Sequence, residues 1–412
     1  MMRPTERMRL RGVSTADPGR KRHRDGTHRT LPPEATLVRV LKLAPALGIT
    51  RLSTVTGLDR LGVPVAVACR PNSRSLAVFQ GKGLTLAAAK ASAFMEALEA
   101  FHAETVTGPL RFAGTRELRA TARVAEPGRL PRCSGGAWDE ERPLLWFEAV
   151  SLATGEPIWV PFELVGARFT APQPPASMHF AASTNGLASG NHPLEAILHG
   201  LYETIERDAI ALWLCRGRER RRSTSMAPPV SAGAAGELLA RCAAASVRVS
   251  LWDATSDLGV AVIVCLMRGI DESVVDMGSG CHADRDVALL RAITEAAQSR
   301  LTRISGARED FGDEAYPADP APGNDDDPRF PAVPRRVFEA VPSFAGDTLR
   351  ADLARTVARV MAAGFDEIAV ADLTRPEFGV PVVRVIVPGL EGPAHSLAVE
   401  YVPGERARAA AA

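Results

Sequence analysis

Glutamates recur in this sequence at a spacing that sets them against one another. Glu96 and Glu99 are three residues apart, as are Glu203 and Glu206, and Glu295 is followed at the same interval by Gln298. On a helix that interval places side chains on one face, where two carboxylates repel. The stripes are longer than these pairs: Ser92, Glu96 and Glu99; His199, Glu203 and Glu206; Arg291, Glu295, Gln298 and Thr302. A helix needing only solubility would interleave Lys or Arg at i+4. Two acidic pairs brought together need cations, and Mg²⁺ typically takes one or two carboxylates plus substrate phosphates. The spacing therefore points to a Mg²⁺-bridged nucleotide. A solvated helix face accounts for any one stripe; three matched stripes, each after a Gly/Ser-rich stretch, favour a shared site.

Those stretches are Gly81-Lys82-Gly83, Ser183 to Gly190, and Gly278-Ser279-Gly280. Read as loops, each could bring backbone N–H groups to phosphate oxygens. None matches a P-loop or a dinucleotide-binding fingerprint. A di-iron carboxylate bundle is a rival, since Glu99 and His102 form Glu-x-x-His, but position 206, where the second motif needs histidine, is glutamate. His179, His192 and His282 lie in expected loops near the motifs, and the spacing assigns them no role.

The stripes need long helices to carry them. Apolar periodicity predicts helices from about Leu86 to Glu104, Pro193 to about Cys215, and about Arg285 to Ile304, with Phe94, Leu98 and Phe101 opposite the first stripe. Shorter helices are expected near 35–48, 234–244 and 348–363. Short β-rich runs (RLSTVTGLD, VPVAVACR, SLAVFQ, RVSLWDA, VAVIVCLM, EIAVADL, VVRVIVP) read as strands, and PLLWFEAVSLATGEPIWVPFELV as a hairpin turning at Thr154-Gly155. The fold class is α/β, or α+β with segregated layers. We expect residues 1–34 to be a disordered basic leader and 35–412 one catalytic domain with its core motifs in 81–391, interrupted by a Pro/Asp-rich surface loop at 317–334.

A formal net charge of +1 over 412 residues offers no global field for nucleic acid or an anionic membrane. The run Arg20-Lys21-Arg22-His23-Arg24 has no aromatics to stack on bases, so a solvated leader is expected. None of the six cysteines forms a close metal-binding pair. With no apolar block of membrane-spanning length and no secretory signal, a cytoplasmic protein is expected.

The ordered motifs SxxxExxE (Ser92–Glu99), STNGLASGNHPLEAILHGLYETIERD with ExxERD (Glu203–Asp208), and ExxQxR (Glu295–Arg300), ending in PGLE at Pro388, resemble the YcaO family over most of the chain. That resemblance implies ATP and Mg²⁺ as cofactors, with Glu96, Glu99, Glu203 and Glu206 as metal ligands and Glu295 and Gln298 helping to hold nucleotide and metals. By the same resemblance Ser92, Asn185, Arg207 and Arg300, and Lys82 more weakly, would contact the nucleotide, and Glu203, Glu206, Arg207 and Gln298 would serve catalysis. The implied chemistry is phosphorylation of a peptide backbone amide oxygen, giving an azoline with an internal nucleophile or a thioamide with sulfide. The chain ends YVPGERARAAAA rather than in the PxPxP of azoline-forming members. It looks more like members working beside a TfuA-like protein, so thioamidation is the favoured expectation, with a separate leader-peptide-binding protein and a homodimer as further expected partners. The alternatives are a cyclodehydratase and a non-catalytic ATP-binding scaffold. Deleting the residues before Pro32 is expected to leave ATP hydrolysis intact.

Overall fold

The computed structural model describes residues 9–10, 13–14, 17–134, 139–172, 177–229, 233–269, 272–308, 310–312, 316, 327–392 and 402–412. The elements used below run in chain order as α1 (Pro33–Val40), β1 (Arg51–Thr54), β2 (Val65–Cys69), β3 (Val78–Lys82), α2 (Leu86–Glu104), β4 (Leu110–Ala113), β5 (Leu144–Ser151), β6 (Pro157–Pro161) and β7 (Leu187–Ser189). Then follow α3 (Pro193–Cys215), β8 (Ser225–Met226), α4 (Ala234–Ala244), β9 (Val247–Asp253), β10 (Ala261–Gly269), β11 (Asp276–His282), α5 (Arg285–Ser305), α6 (Leu349–Ala362), β12 (Ala369–Asp372), β13 (Val382–Ile386) and α7 (Glu405–Ala411).

These strands make three antiparallel sheets: β1-β2-β3; β8-β9-β10-β11; and β4-β5-β12-β13-β7, with β6 paired to β5. No named strands pair in parallel, so of the two expected classes the α+β arrangement is the one observed. The β5–β6 hairpin turns at Thr154-Gly155, with Gly155 at φ 77°, a left-handed conformation that suits glycine.

One arrangement occurs twice. A three-strand meander (β1-β2-β3, then β9-β10-β11) leads directly into a long helix (α2, then α5) that lies back on it. Helix α2 is started by Thr85, whose Oγ accepts from Ala88 N–H at 3.1 Å, and α5 by Asp284, whose carboxylate accepts from Asp286 N–H at 3.0 Å. In each unit a strand glycine lets helix and strand backbones touch. A Cβ on Gly81 would fall on the amide nitrogen of Ala93, and one on Gly278 on that of Ala296. Small residues continue each contact, Ala89 and Ala93 in α2 and Ala292 and Ala296 in α5, all fully buried.

Three expectations change. Gly278-Ser279-Gly280 is not a loop but the middle of β11, because its glycines are where α5 presses on the sheet. Likewise Leu187–Ser189, inside the expected small-residue loop, pairs with β13 as a strand. The described part of the presumed leader, from Asp17 on, is packed: Lys21 and His28 are buried, and Leu349 N–H donates to Gly19 O at 2.9 Å. Lys21 stays inside because Asp352, from a distant helix, pairs with it. Residues 317–326 of the expected Pro/Asp-rich loop lie outside the described residues; Asp327 just after them is buried on Arg268 at 3.0 Å. At the other end, α7 docks on α3 through Arg406, which donates to Asp208 and Asp257, while Glu391 accepts from the N–H groups of Gly404 and Ala407 at 2.8 Å each.

Candidate active site

The three acidic helices meet around one cavity of about 550 Å³. Helix α2 contributes Ser92, Glu96 and Glu99; α3 contributes Glu195, His199, Glu203, Glu206 and Arg207; α5 contributes Arg291, Glu295 and Gln298; β3 adds Lys82. Each stripe faces inward because its helix buries the opposite face, as with Phe94 and Leu98 in α2, Leu198 and Ile205 in α3, and Ile293 and Ala297 in α5.

Short contacts stitch the helices together through the small-residue strands. Glu99 Oε1 accepts from Ser189 N–H at 2.8 Å and from its hydroxyl at 2.6 Å, tying α2 to β7. The Ser279 hydroxyl on β11 reaches Glu206 Oε1 at 2.8 Å and Glu295 Oε1 at 3.2 Å, joining α3 to α5. Lys82 Nζ bonds Glu295 Oε2 at 2.5 Å, and the Arg207 guanidinium stands 3.8 Å from Glu203 and 3.6 Å from Glu206. Gln298 Nε2 donates to Gln80 O at 3.2 Å, leaving its amide oxygen for the cavity.

The carboxylates are not electrostatically equal. Burial, reinforced by Glu96 and Glu203, pushes Glu99 up to about 8 against the Ser189 hydrogen bonds. Burial together with Glu206 raises Glu203 to about 7, with Arg207 opposing. Burial also acts on Glu295, but Lys82 and Arg207 outweigh it and hold that carboxyl down at about 2. His199 is driven well below its ordinary value by burial and by Arg291 and Arg29, so it is neutral. Acidic groups that resist ionising without a counter-charge suit a divalent cation, whose binding would expel their protons. Among the described residues no three His, Cys, Asp or Glu side chains converge on one ion. The donor set therefore fits Mg²⁺ sharing its sphere with phosphate oxygens rather than a closed protein cage.

These shifts predict a pH signature. Glu99 and Glu203 hold their protons in the folded state between the ordinary carboxylate value of about 4.5 and about 8 and 7, so folding binds protons in that window. Stability of the metal-free protein should fall as pH rises from 5 to 8, and Glu99→Gln should flatten the slope. Thermal unfolding across that range checks it; a slope identical in the variant would remove Glu99 as the source.

Two expected site residues are placed elsewhere. Arg300 does not line the cavity: five residues beyond Glu295 on α5 it points to the other side of the helix, with Glu272 accepting from it at 2.5 and 2.6 Å and Asp59 and Asp276 each 3.6 Å away. It stands in an ion-pair cluster that joins α5 to β11 and to the turn after β1. Asn185 also lies off the lining, with a buried Oδ1 that no described group partners. Conversely, Glu195 and Arg29 belong to the cavity without having been singled out, and Ser189 and Ser279, read only as parts of small-residue loops, stitch its helices together. Glu195 was within reach of the helical spacing, four residues before His199; the serines gave no signal beyond their small-residue setting.

The sequence model of the YcaO cyclodehydratase, ATP- and Mg²⁺-binding family matches residues 80–391. A Rhizobium leguminosarum bv. trifolii protein from the tfuA 3′ region is 38% identical over 384 residues, 88% of each chain. The YcaO of Methanopyrus kandleri bound with AMPPCP and Mg²⁺ has a TM-score of 0.72 at 24% identity, covering 94% of this chain and 99% of that one. A heterocyclase in complex with substrate and cofactor also gives 0.72 at 24% identity, but the match covers 89% of this chain and only 53% of that longer one. The chain belongs to the YcaO family, and its cofactors are ATP and Mg²⁺. Among the described residues no helix is long and apolar enough to cross a membrane.

Proposed function

We propose that this protein activates a peptide backbone amide by ATP-dependent phosphorylation of its oxygen and installs a thioamide, working with a TfuA-like partner. The observation that carries the reading is the convergence of three carboxylate stripes on one cavity that also holds Lys82 and Arg207. In this reading Glu96, Glu99, Glu203 and Glu206 hold Mg²⁺, with Glu295 and Gln298 beside them, and Ser92, Lys82 and Arg207 face the phosphates. The metal, when bound, neutralises phosphate charge. Arg207, whose guanidinium stands 3.8 Å from Glu203 and 3.6 Å from Glu206, would do the same from the protein side. Lys82 is kept in place by Glu295 until an anion competes for it.

Hydrosulfide adds to the amide carbon, leaving a tetrahedral oxyanion. That oxygen attacks the γ-phosphorus and ADP leaves. The C–O bond then breaks, inorganic phosphate departs with the electron pair, and sulfur loses its proton as C=S forms. Positioning and charge neutralisation are the protein's contribution, as in phosphoryl transfer generally.

The relative from the tfuA 3′ region supports the thioamide reading and the partner. The cyclodehydratase description of the family favours azoline formation as the second reading. Mass spectrometry of a precursor peptide incubated with the protein, a TfuA-like partner, ATP, Mg²⁺ and sulfide separates them. Exchange of one oxygen for one sulfur is the expected result. Loss of one water would mean an azoline, and ATP binding without peptide change or ATP consumption would indicate a scaffold.

A further inference from the structure

The far end of α3 carries charge that nothing in the fold uses. This helix brings Glu203, Glu206 and Arg207 to the cavity and ends at Cys215, about 14 Å along its axis beyond Glu206. The chain then reads Arg216-Gly217-Arg218-Glu219-Arg220-Arg221-Arg222, five arginines against one glutamate, with Arg218–Arg222 forming a single helical turn. Arg218, Arg220 and Arg222 are exposed, and among the described residues their side chains make no hydrogen bond or ion pair. Arg218 stands one turn from both Arg221 and Arg222, a like-charge spacing that weakens a helix. The turn is nonetheless held firmly. Buried Trp213 donates through Nε1 to the Thr224 hydroxyl at 3.0 Å, that hydroxyl donates to Arg221 O at 2.8 Å, and the Arg221 guanidinium lies 5.7 Å over the Trp213 ring. The Ser225 hydroxyl donates to Arg222 O at 2.9 Å and accepts from Arg335 N–H at 3.2 Å, so a second arginine-bearing segment lies against the first. Arg336 pairs with Asp253 at 2.6 Å, leaving exposed Arg335 as a fourth cation without a side-chain partner among the described residues. Val333 and Val337, two residues to either side of Arg335, are 72% and 58% exposed.

We propose that this surface anchors an acidic segment of the peptide substrate, with carboxylates interleaved among apolar residues, outside the cavity. This rests on the amide-activating reading of the site. Two observations select the occupant. The cavity, at about 550 Å³, has the size of an ordinary small-molecule pocket, so with a nucleotide bound it admits little more than the reacting amide. Affinity for the rest of the peptide must come from elsewhere on the chain, and none of these arginines lines the cavity. Four guanidiniums with unused donors, set beside exposed valines, match carboxylates that have apolar neighbours. For a nucleic acid the surface offers no exposed aromatic ring to stack on a base, since Trp213 is buried.

Fluorescence anisotropy of the full chain with a labelled peptide of alternating glutamate and valine tests it, with glutamate–serine and glutamine–valine peptides as comparisons. Wild type should bind the glutamate–valine peptide best, and more weakly as salt rises from about 0.05 to 0.5 M. Arg218→Glu, Arg220→Glu and Arg222→Glu combined should weaken that binding at least about 10-fold, the scale of three surface charge contacts. Val333→Ser with Val337→Ser should weaken the glutamate–valine peptide and leave the glutamate–serine peptide as in wild type. In both variants the unfolding midpoint and the titration with AMPPCP and Mg²⁺ should match wild type. No peptide binding by wild type, or unchanged affinity in the triple variant, would overturn the proposal. So would tighter binding of a single-stranded oligonucleotide, a dimer that dissociates in the triple variant, or a TfuA-like partner lost there while the peptide still binds; these would assign the surface to nucleic acid, to a second copy or to the partner. Failure of wild type to bind AMPPCP would instead remove the amide-activating reading, and the substrate assignment with it, whatever the peptide affinity.

Discussion

Glu203→Gln should weaken Mg²⁺-dependent nucleotide binding by more than about 100-fold, because groups that merely support a metal ligand already cost 10–100-fold when lost. The substitution keeps shape and hydrogen-bonding capacity and removes only charge. Glu203 is half-buried beside Glu206 and lifted to about 7, so the apo protein gains by its neutralisation while, on the proposed reading, the loaded protein loses a metal ligand. Two measurements should therefore move in opposite directions. The metal-free variant should unfold at a higher temperature at pH 8, and its titration with AMPPCP and Mg²⁺ should approach the metal-free affinity of wild type. Undiminished affinity would take Glu203 out of the metal set.

Gly278→Ala should cost about 3 kcal/mol of stability, the upper part of the usual range for overpacking a core. The added methyl group would land on the Ala296 amide and the Ala292 carbonyl, which are backbone and cannot rotate away. Helix α5 must withdraw, taking Glu295 from the Ser279 hydroxyl and from Lys82. Nucleotide affinity should fall along with the urea midpoint. Gly217→Ala, where a Cβ meets nothing within 4 Å, is the comparison and should be nearly neutral. Equal midpoints for the two variants would show that α5 does not depend on that contact.

Helix-borne features were legible from sequence because their signals are local. The first-turn Pro193 and the 3.6-residue apolar period mark α2 and α3, and the same period aims their glutamates one way. What escaped detection depends on partners far along the chain. Gly278-Ser279-Gly280 has the composition of a loop and becomes a strand only because α5 needs a surface without side chains. Lys21 looks like one more solvated cation until Asp352, 331 residues later, takes it inside. Arg300 shares the helix of Glu295 but not its face, and its carboxylate partners come from three other places in the sequence.

The repeated meander-and-helix unit has a consequence for the site's polarity. Aligning Gly81 with Gly278 and Ala93 with Ala296 sets Lys82 opposite Ser279 and Ser92 opposite Glu295. The cavity is thus a seam between two look-alike modules of one chain, much as an active site can lie between the subunits of a dimer. At matched places one module presents a cation where the other has a hydroxyl, and a hydroxyl where the other has a carboxylate. A ligand lying across the seam meets unlike surfaces from the two sides, so the direction in which it lies is set by the positions at which the two modules differ.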